Sequence, residues 1–179
     1  GEIIRAREQL IPVIGICGGY QMLGQKIIDR GIESCEGEFP GLGLLNGITL
    51  FDRYEKKTVQ VRRTANPVGP VLTRMGTIRG YEIHMGETDN QGDSEAFLGE
   101  GAVSDDGMVF GTYLHGLFEN NTAVEALMAF LYERKGLTFS FSEPDFTDVY
   151  DDLARSFEAH INMDPILRFF SGEGSTVPD

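Results

Sequence analysis

The stretch "PVIGICGGYQMLG", Pro12 to Gly24, decides the fold: an apolar run, one cysteine among glycines, then apolar residues at helical spacing. Pro12 to Ile16 predicts a short β-strand, buried on both faces if it lies in a parallel sheet, where strands show no alternation. Beyond Gly18 and Gly19, Tyr20, Leu23, Ile27 and Ile28 recur at helical spacing up to Gly31, a residue suited to a helix C-cap. Strand, sharp turn and helix in that order predict an α/β fold. Gly15-Ile16-Cys17-Gly18-Gly19 has the G-x-C-x-G form of a nucleophile elbow, whose small neighbours keep a Cβ from colliding with the adjoining backbone. A helix beginning just after Cys17 sets N–H groups and a positive dipole end beside the sulfur, which favours the thiolate. The N–H of Gly18 is then placed to hold the oxyanion formed when the thiolate attacks a carbonyl. The alternative for Cys17 is a small buried hydrophobe closing a strand.

With 179 residues, 41% of them hydrophobic, the chain suits one globular domain. Its formal charge of −13 is spread along the sequence without a Lys/Arg-rich block, which argues against a nucleic-acid partner. The longest apolar stretch, "LIPVIGIC" from Leu10 to Cys17, is far short of the roughly 20 residues that span a bilayer, and no signal peptide opens the chain. A soluble, cytoplasmic protein is expected. Two cysteines, Cys17 and Cys35, are too few for a disulfide framework, so both are expected as free thiols. Cys35 lies in a polar loop without a strand-turn-helix setting and reads as a bystander. "EIIRAREQL" reads as the last turns of a helix that begins elsewhere, so a fragment is expected.

Between Ser34 and Gly47 the glycines predict an irregular connection. From Ile48 to Tyr113 the pattern is mostly short strands, clearest in "TVQVRR" (Thr58 to Arg63), "TIRGYEIHMG" (Thr77 to Gly86) and "GMVFGTYLHG" (Gly107 to Gly116). Thr122 and Glu125 form a capping box for a helix with the stripe Val124, Leu127, Met128 and Leu131, ended by Gly136. Phe146, Val149, Tyr150, Leu153, Phe157 and Ile161 mark a second amphipathic helix, and Asp164-Pro165 opens a short one to about Phe170. "SGEGSTVPD" reads as a frayed tail. No internal repeat or linker divides the chain.

A cysteine nucleophile needs a base. His115, at the end of the strand "MVFGTYL", stands where open α/β sheets collect catalytic groups. His160, near the end of an amphipathic helix, is set aside. In "GYEIHMG" alternation sends Glu82 and His84 to one strand face, roughly 6.6 Å apart along it, which reads equally as a site or as a solvated sheet face. Gln21, four residues into the helix after Cys17, shares the side of the thiol, where it is a binding group or an exposed polar residue.

"GICGGYQMLG" (Gly15 to Gly24) together with "VFGTYLHGLFEN" (Val109 to Asn120) resembles the class I glutamine amidotransferases, in the branch found at the C-terminal end of cobyric acid synthases. "GYEIHMG" (Gly80 to Gly86), "PGLGLL" (Pro40 to Leu45) and "INMDPIL" (Ile161 to Leu167) fit that branch in order, so the likeness covers nearly the whole chain. The resemblance implies a flavodoxin-like three-layer α/β sandwich that hydrolyses glutamine. Cys17 would attack the side-chain amide, His115 would serve as base and then as acid, and Gly18, Gly19 and Gln21 would bind substrate. No cofactor is implied in this chain. The resemblance also implies an N-terminal synthase domain that uses ATP and magnesium to amidate carboxylates of a corrinoid, adenosylcobyrinic acid a,c-diamide, in cobalamin synthesis.

Two departures stand out. Many members of the family place a glutamate two residues after the histidine to orient it, but here that residue is Leu117, which leaves a dyad. Glu119 and Glu82 are candidate orienters, with a solvated loop charge as the alternative for Glu119. Glu82 and His84 are also expected at the synthase interface or the ammonia path. Only 16 residues precede Cys17, too few for the family's glycine-containing oxyanion loop, and no G-x-x-x-x-G-K-[ST] phosphate loop occurs. The first strands are then absent too, and the polypeptide alone is expected to be a poor glutaminase. The alternatives are the glutaminase of cobyrinic acid a,c-diamide synthase, a peptidase-type cysteine hydrolase, and a silent domain that binds glutamine or a partner surface.

Overall fold

The computed structural model describes residues 1–54, 57–140 and 149–171, and the chain divides into one unit spanning Gly1–Phe141 and another spanning Ser142–Asp179. In the first unit α1 (Glu2–Glu8) leads into β1 (Val13–Ile16), a turn at Cys17 and α2 (Gly18–Leu23). Strands β2 (Lys26–Asp29), β3 (Gly37–Pro40), β4 (Ile48–Phe51) and β5 (Lys57–Thr64) follow, then α3 (Gly69–Met75) and β6 (Thr77–His84). The unit continues through β7 (Glu87–Asp89), β8 (Ala102–Val103), β9 (Val109–Thr112), β10 (Leu114–His115), a 3₁₀ turn at Leu117–Glu119 and α4 (Asn121–Arg134). The class is α/β, and its strands form three sheets in the orders β1-β9-β8, β10-β6-β5 and β3-β2-β4-β7.

The expected strand-turn-helix is present, with β1 parallel to β9 and Gly15 opposite Gly111. Strand β1 stands at the edge of its sheet and only Gly15 is fully buried in it, so burial on both faces does not hold. Helix α2 stops at Leu23, and Ile27 and Ile28, read as part of that helix, lie in β2 between β3 and β4. Gly24 causes the break: its extended backbone lies so close to Gly47 that a Cβ would meet the Gly47 carbonyl oxygen at 2.4 Å. The β-branched pair beyond it suits a pleat. Strand β3 likewise occupies part of the stretch expected to be irregular, and α3 was not foreseen.

Helix α4 is not capped by Thr122. Its N-cap is Asn120, whose Oδ1 accepts from the Arg79 N–H at 3.0 Å while Nδ2 donates to the carbonyls of Arg79 at 2.8 Å and Gly116 at 2.9 Å. That anchor ties the helix start to β6 and turns Ala123 and Ala126 inward, with Leu127 and Phe130 beside them. Of the expected stripe Leu127 joins this core, while Val124, Met128 and Leu131 lie half-buried outside it.

One core cluster gathers Leu72, Met75, Ile78, Phe97, Phe110 and Leu114. Another clamps α2 onto β9 through Tyr20, Leu23, Val109 and Tyr113. Each such side chain contributes on the order of 1.5–3 kcal/mol by leaving water. Gly111 lets Tyr20 lie flat on β9, because a Cβ there would fall 2.0 Å from Tyr20 Cδ2.

The second unit holds α5 (Val149–His160) and α6 (Asp164–Ser171), close to the expected bounds. Phe146 and most of the expected tail, residues 172–179, lie outside the described residues. Among the described residues no helix is long and apolar enough to cross a membrane.

Candidate active site

Cys17 sits at φ 54°, ψ −116°, a conformation an L-residue seldom adopts and one that costs on the order of 1–3 kcal/mol. Its N–H donates to the Thr112 carbonyl at 2.8 Å and its own carbonyl accepts from the Gln21 N–H at 3.2 Å. The residue therefore closes the β1–β9 ladder and opens α2, and the surrounding hydrogen bonds hold the strained turn. Gly15 must be glycine, since a Cβ would lie 2.6 Å from Leu23 Cδ1 and 2.8 Å from the Gly19 carbonyl oxygen. Gly18 and Gly19 differ from that expectation: they are exposed, and a Cβ on either would meet nothing within 4 Å. Their smallness leaves room above the turn. As the first residue of α2, Gly18 has an N–H with no intrahelical acceptor.

His115 arrives from another sheet. The run expected as one strand breaks at Tyr113 into β9 and β10, and Glu100 makes the break. Its Oε2 accepts from Thr112 Oγ1 at 2.6 Å and its Oε1 from the Tyr113 N–H at 2.5 Å, while Thr112 Oγ1 accepts from the Leu114 N–H at 3.0 Å. Burial pushes the Glu100 carboxyl above its usual range, against the pull of those two donors. Past the kink, β10 pairs antiparallel with β6, with His115 opposite Tyr81 and Leu114 opposite Glu82.

The thiol and the imidazole converge on one atom. The carbonyl oxygen of Ile83 lies 3.4 Å from Cys17 Sγ and 3.3 Å from His115 Nε2. This oxygen can accept from whichever of the two carries the proton. The half-buried Cys17 borders a cavity of about 300 Å³ with Gln21, Phe51, Ile83, His84 and Met85, at the small end of the range for ligand pockets.

Gln21 is buried, with Nε2 donating to the Met85 carbonyl and to Tyr113 Oη, both at 3.2 Å. It borders the cavity while anchoring the chain after β6, so the reading as an exposed polar residue does not hold. Burial pushes the Tyr113 phenol above its ordinary range, against hydrogen bonds to Thr88 and Gln21, and the nearby Cys17 adds to the rise. Glu82 is 1% exposed and accepts from Arg63 Nε at 2.9 Å and Nη2 at 2.6 Å, so its face of β6 is not solvated there. His84 stacks on Tyr113 with ring centroids 3.8 Å apart. It borders both the Cys17 cavity and a second cavity of about 300 Å³ lined by Glu82, Glu95, Glu100 and Tyr20.

Neither candidate orienter hydrogen-bonds the imidazole. Exposed Glu119 folds back over Gly116, with Oε2 3.2 Å from where a Cβ of that glycine would stand, and Leu117 is buried. Cys35 is exposed. His160 lies in the second unit, bonded to the Ser156 carbonyl at 2.8 Å. Sequence reasoning missed Glu100, Tyr81 and the Ile83 carbonyl. The kink could have been suspected from the small polar Thr112 inside an apolar run, but a main-chain acceptor leaves no mark in a sequence.

The profile of the CobB/CobQ-like glutamine amidotransferase domain matches residues 1–123, a span that holds both Cys17 and His115. The chain belongs to this family. Its similarity to probable cobyric acid synthases is high: 58% identity over 166 residues with that of Methanoregula boonei, covering 93% of this chain and 35% of the relative. The Methanosphaerula palustris protein is 56% identical over 173 residues, covering 97% and 36%, and that of Methanoculleus marisnigri 54% over 177 residues, covering 95% and 36%. The chain thus spans about a third of the length of the curated relatives it matches. Membership in an amidotransferase family makes it an enzyme domain.

Proposed function

We propose that this chain is a glutaminase that frees ammonia through a thioester on Cys17 and supplies it to a cobyric acid synthase. The observation that carries the reading is the convergence of Cys17 Sγ and His115 Nε2 on the Ile83 carbonyl oxygen, above a strained turn. His115 takes the thiol proton, and Sγ bonds to the carbon of the glutamine side-chain amide. The Gly18 N–H faces the oxygen that gains charge. The C–N bond then breaks as His115 returns a proton to the leaving nitrogen, and ammonia departs. Water, deprotonated by His115, adds to the thioester; the S–C bond breaks, glutamate leaves and the thiol is restored.

The names of the relatives favour cobyric acid synthase over the sister a,c-diamide synthase. On this reading the ammonia serves amidation of corrinoid carboxylates in the cytoplasm, with ATP and magnesium acting in the longer polypeptide. Among the described residues no cluster of three or more His, Cys, Asp or Glu is arranged to hold a metal. Ammonia leaves past His84, which borders both cavities, toward the Glu82–Glu100 side.

The test is glutamine-dependent ammonia release by the complete gene product. Cys17→Ser and His115→Ala should lower it on the order of 10³-fold or more, as loss of a nucleophile or base does. His84→Ala should keep ammonia release but lower amidation fed by glutamine relative to amidation fed by added ammonia. Wild-type turnover in Cys17→Ser would refute the thioester, and an unchanged ratio in His84→Ala would refute the path.

A further inference from the structure

We infer that Tyr81 is a positioning residue for His115, holding the imidazole by its face where, among the described residues, no carboxylate hydrogen-bonds its edge. The inference rests on the Cys17–His115 reading. Among the described residues, the His115 ring makes a hydrogen bond through Nε2 to the Ile83 carbonyl at 3.3 Å and a stack on Tyr81 with centroids 5.7 Å apart and planes 5° from parallel. Both partners lie on β6. Tyr81 stands directly opposite His115 in the β10–β6 register, so the backbone ladder fixes the stack. Gly80 permits it, because a Cβ there would lie 2.2 Å from the His115 carbonyl oxygen and push β10 away.

One hydrogen bond leaves an imidazole free to swing about the Cβ–Cγ bond, and a flat partner on its face removes that freedom. An imidazolium at 5.7 Å also lies within the ~6 Å at which an aromatic face attracts a cation. The stack therefore tightens as His115 takes the thiol proton, which is when a displaced ring would stop the reaction. This role needs the ring face and not the hydroxyl. Tyr81 is 37% exposed beside an open groove bordered by Arg62, Arg79 and Glu119, so core packing does not account for an aromatic residue at this position.

The experiment is steady-state glutamine hydrolysis by the complete gene product carrying Tyr81→Phe or Tyr81→Leu, with folding followed by urea unfolding. Tyr81→Phe should keep kcat within about twofold, and Tyr81→Leu should lower kcat roughly three- to tenfold while leaving KM within about twofold. If Tyr81→Leu does not fold, Tyr81→Met, also without a flat face, carries the same expectation. Wild-type kcat in the Leu or Met variant, a loss confined to KM, or a Phe variant as slow as Leu would each overturn the inference. Cys17→Ser and His115→Ala, measured alongside, separate the two claims. Turnover in either defeats the dyad itself, whereas two dead variants with an unaffected Tyr81→Leu defeat the role of Tyr81 alone.

Discussion

At Cys17 the backbone takes up a conformation that an L-residue seldom adopts. Its positive φ lifts the side chain off the strand line, and Gly15 alone makes room for the turn beneath it. The three glycines of the motif are therefore not equivalent. Gly15→Ala forces a Cβ into Leu23 and the Gly19 backbone and should cost about 1–3 kcal/mol, the range for overpacking, with activity falling as the turn shifts. Gly19→Ala meets open space and should unfold within about 0.5 kcal/mol of the wild type, near the limit for surface changes. Urea midpoints of the two variants check this contrast; equal losses would mean the turn is held by something other than that contact.

Among the elements, what the sequence shows depends on whether the cause is local. Strand β1, the turn, β5, β6 and the start of α6 follow from periodicity and from residues such as Pro165, so they are readable. The end of α2, the strand character of Ile27 and Ile28, and the kink at Tyr113 depend on Gly47 and Glu100, the latter 13 positions from Tyr113 and the former farther still from α2, so they are not. The site divides the same way: Cys17 and His115 stand in recognisable settings, while their shared acceptor and Tyr81 emerge only once β10 is laid on β6.

Asp29 illustrates a local device at an element's end. Its Oδ1 accepts from the Ile32 N–H at 2.7 Å and its Oδ2 from the Ser34 N–H at 2.9 Å, which hold the turn after β2. These N–H groups, that of Ile32 foremost, keep its carboxyl below the ordinary range. A carboxyl depressed by folding stabilises the fold above the unfolded value of about 3.9, and this contribution is lost as pH falls through the folded value. Asp29→Asn should therefore be less stable than wild type at pH 7, and the gap in urea midpoint should close toward pH 3. A gap that persists at pH 3 would show that the ionised form is not what matters.

At the scale of the whole molecule, two small sheets bring together two residues from different parts of the chain. Strand β1 delivers the thiol, β10 delivers the imidazole, and β6 contributes the carbonyl between them. The arrangement lies within the matched family span, although the chain covers only about a third of each relative's length. The proposed glutamine chemistry can be tested without any corrinoid. The most direct measurement is mass spectrometry of the complete gene product after exposure to a glutamine analogue bearing an electrophile at the amide position. One adduct on Cys17, absent in Cys17→Ser and formed at least about tenfold more slowly in His115→Ala, is the predicted result. Labelling at Cys35 in place of Cys17, or a rate indifferent to His115, would contradict the account.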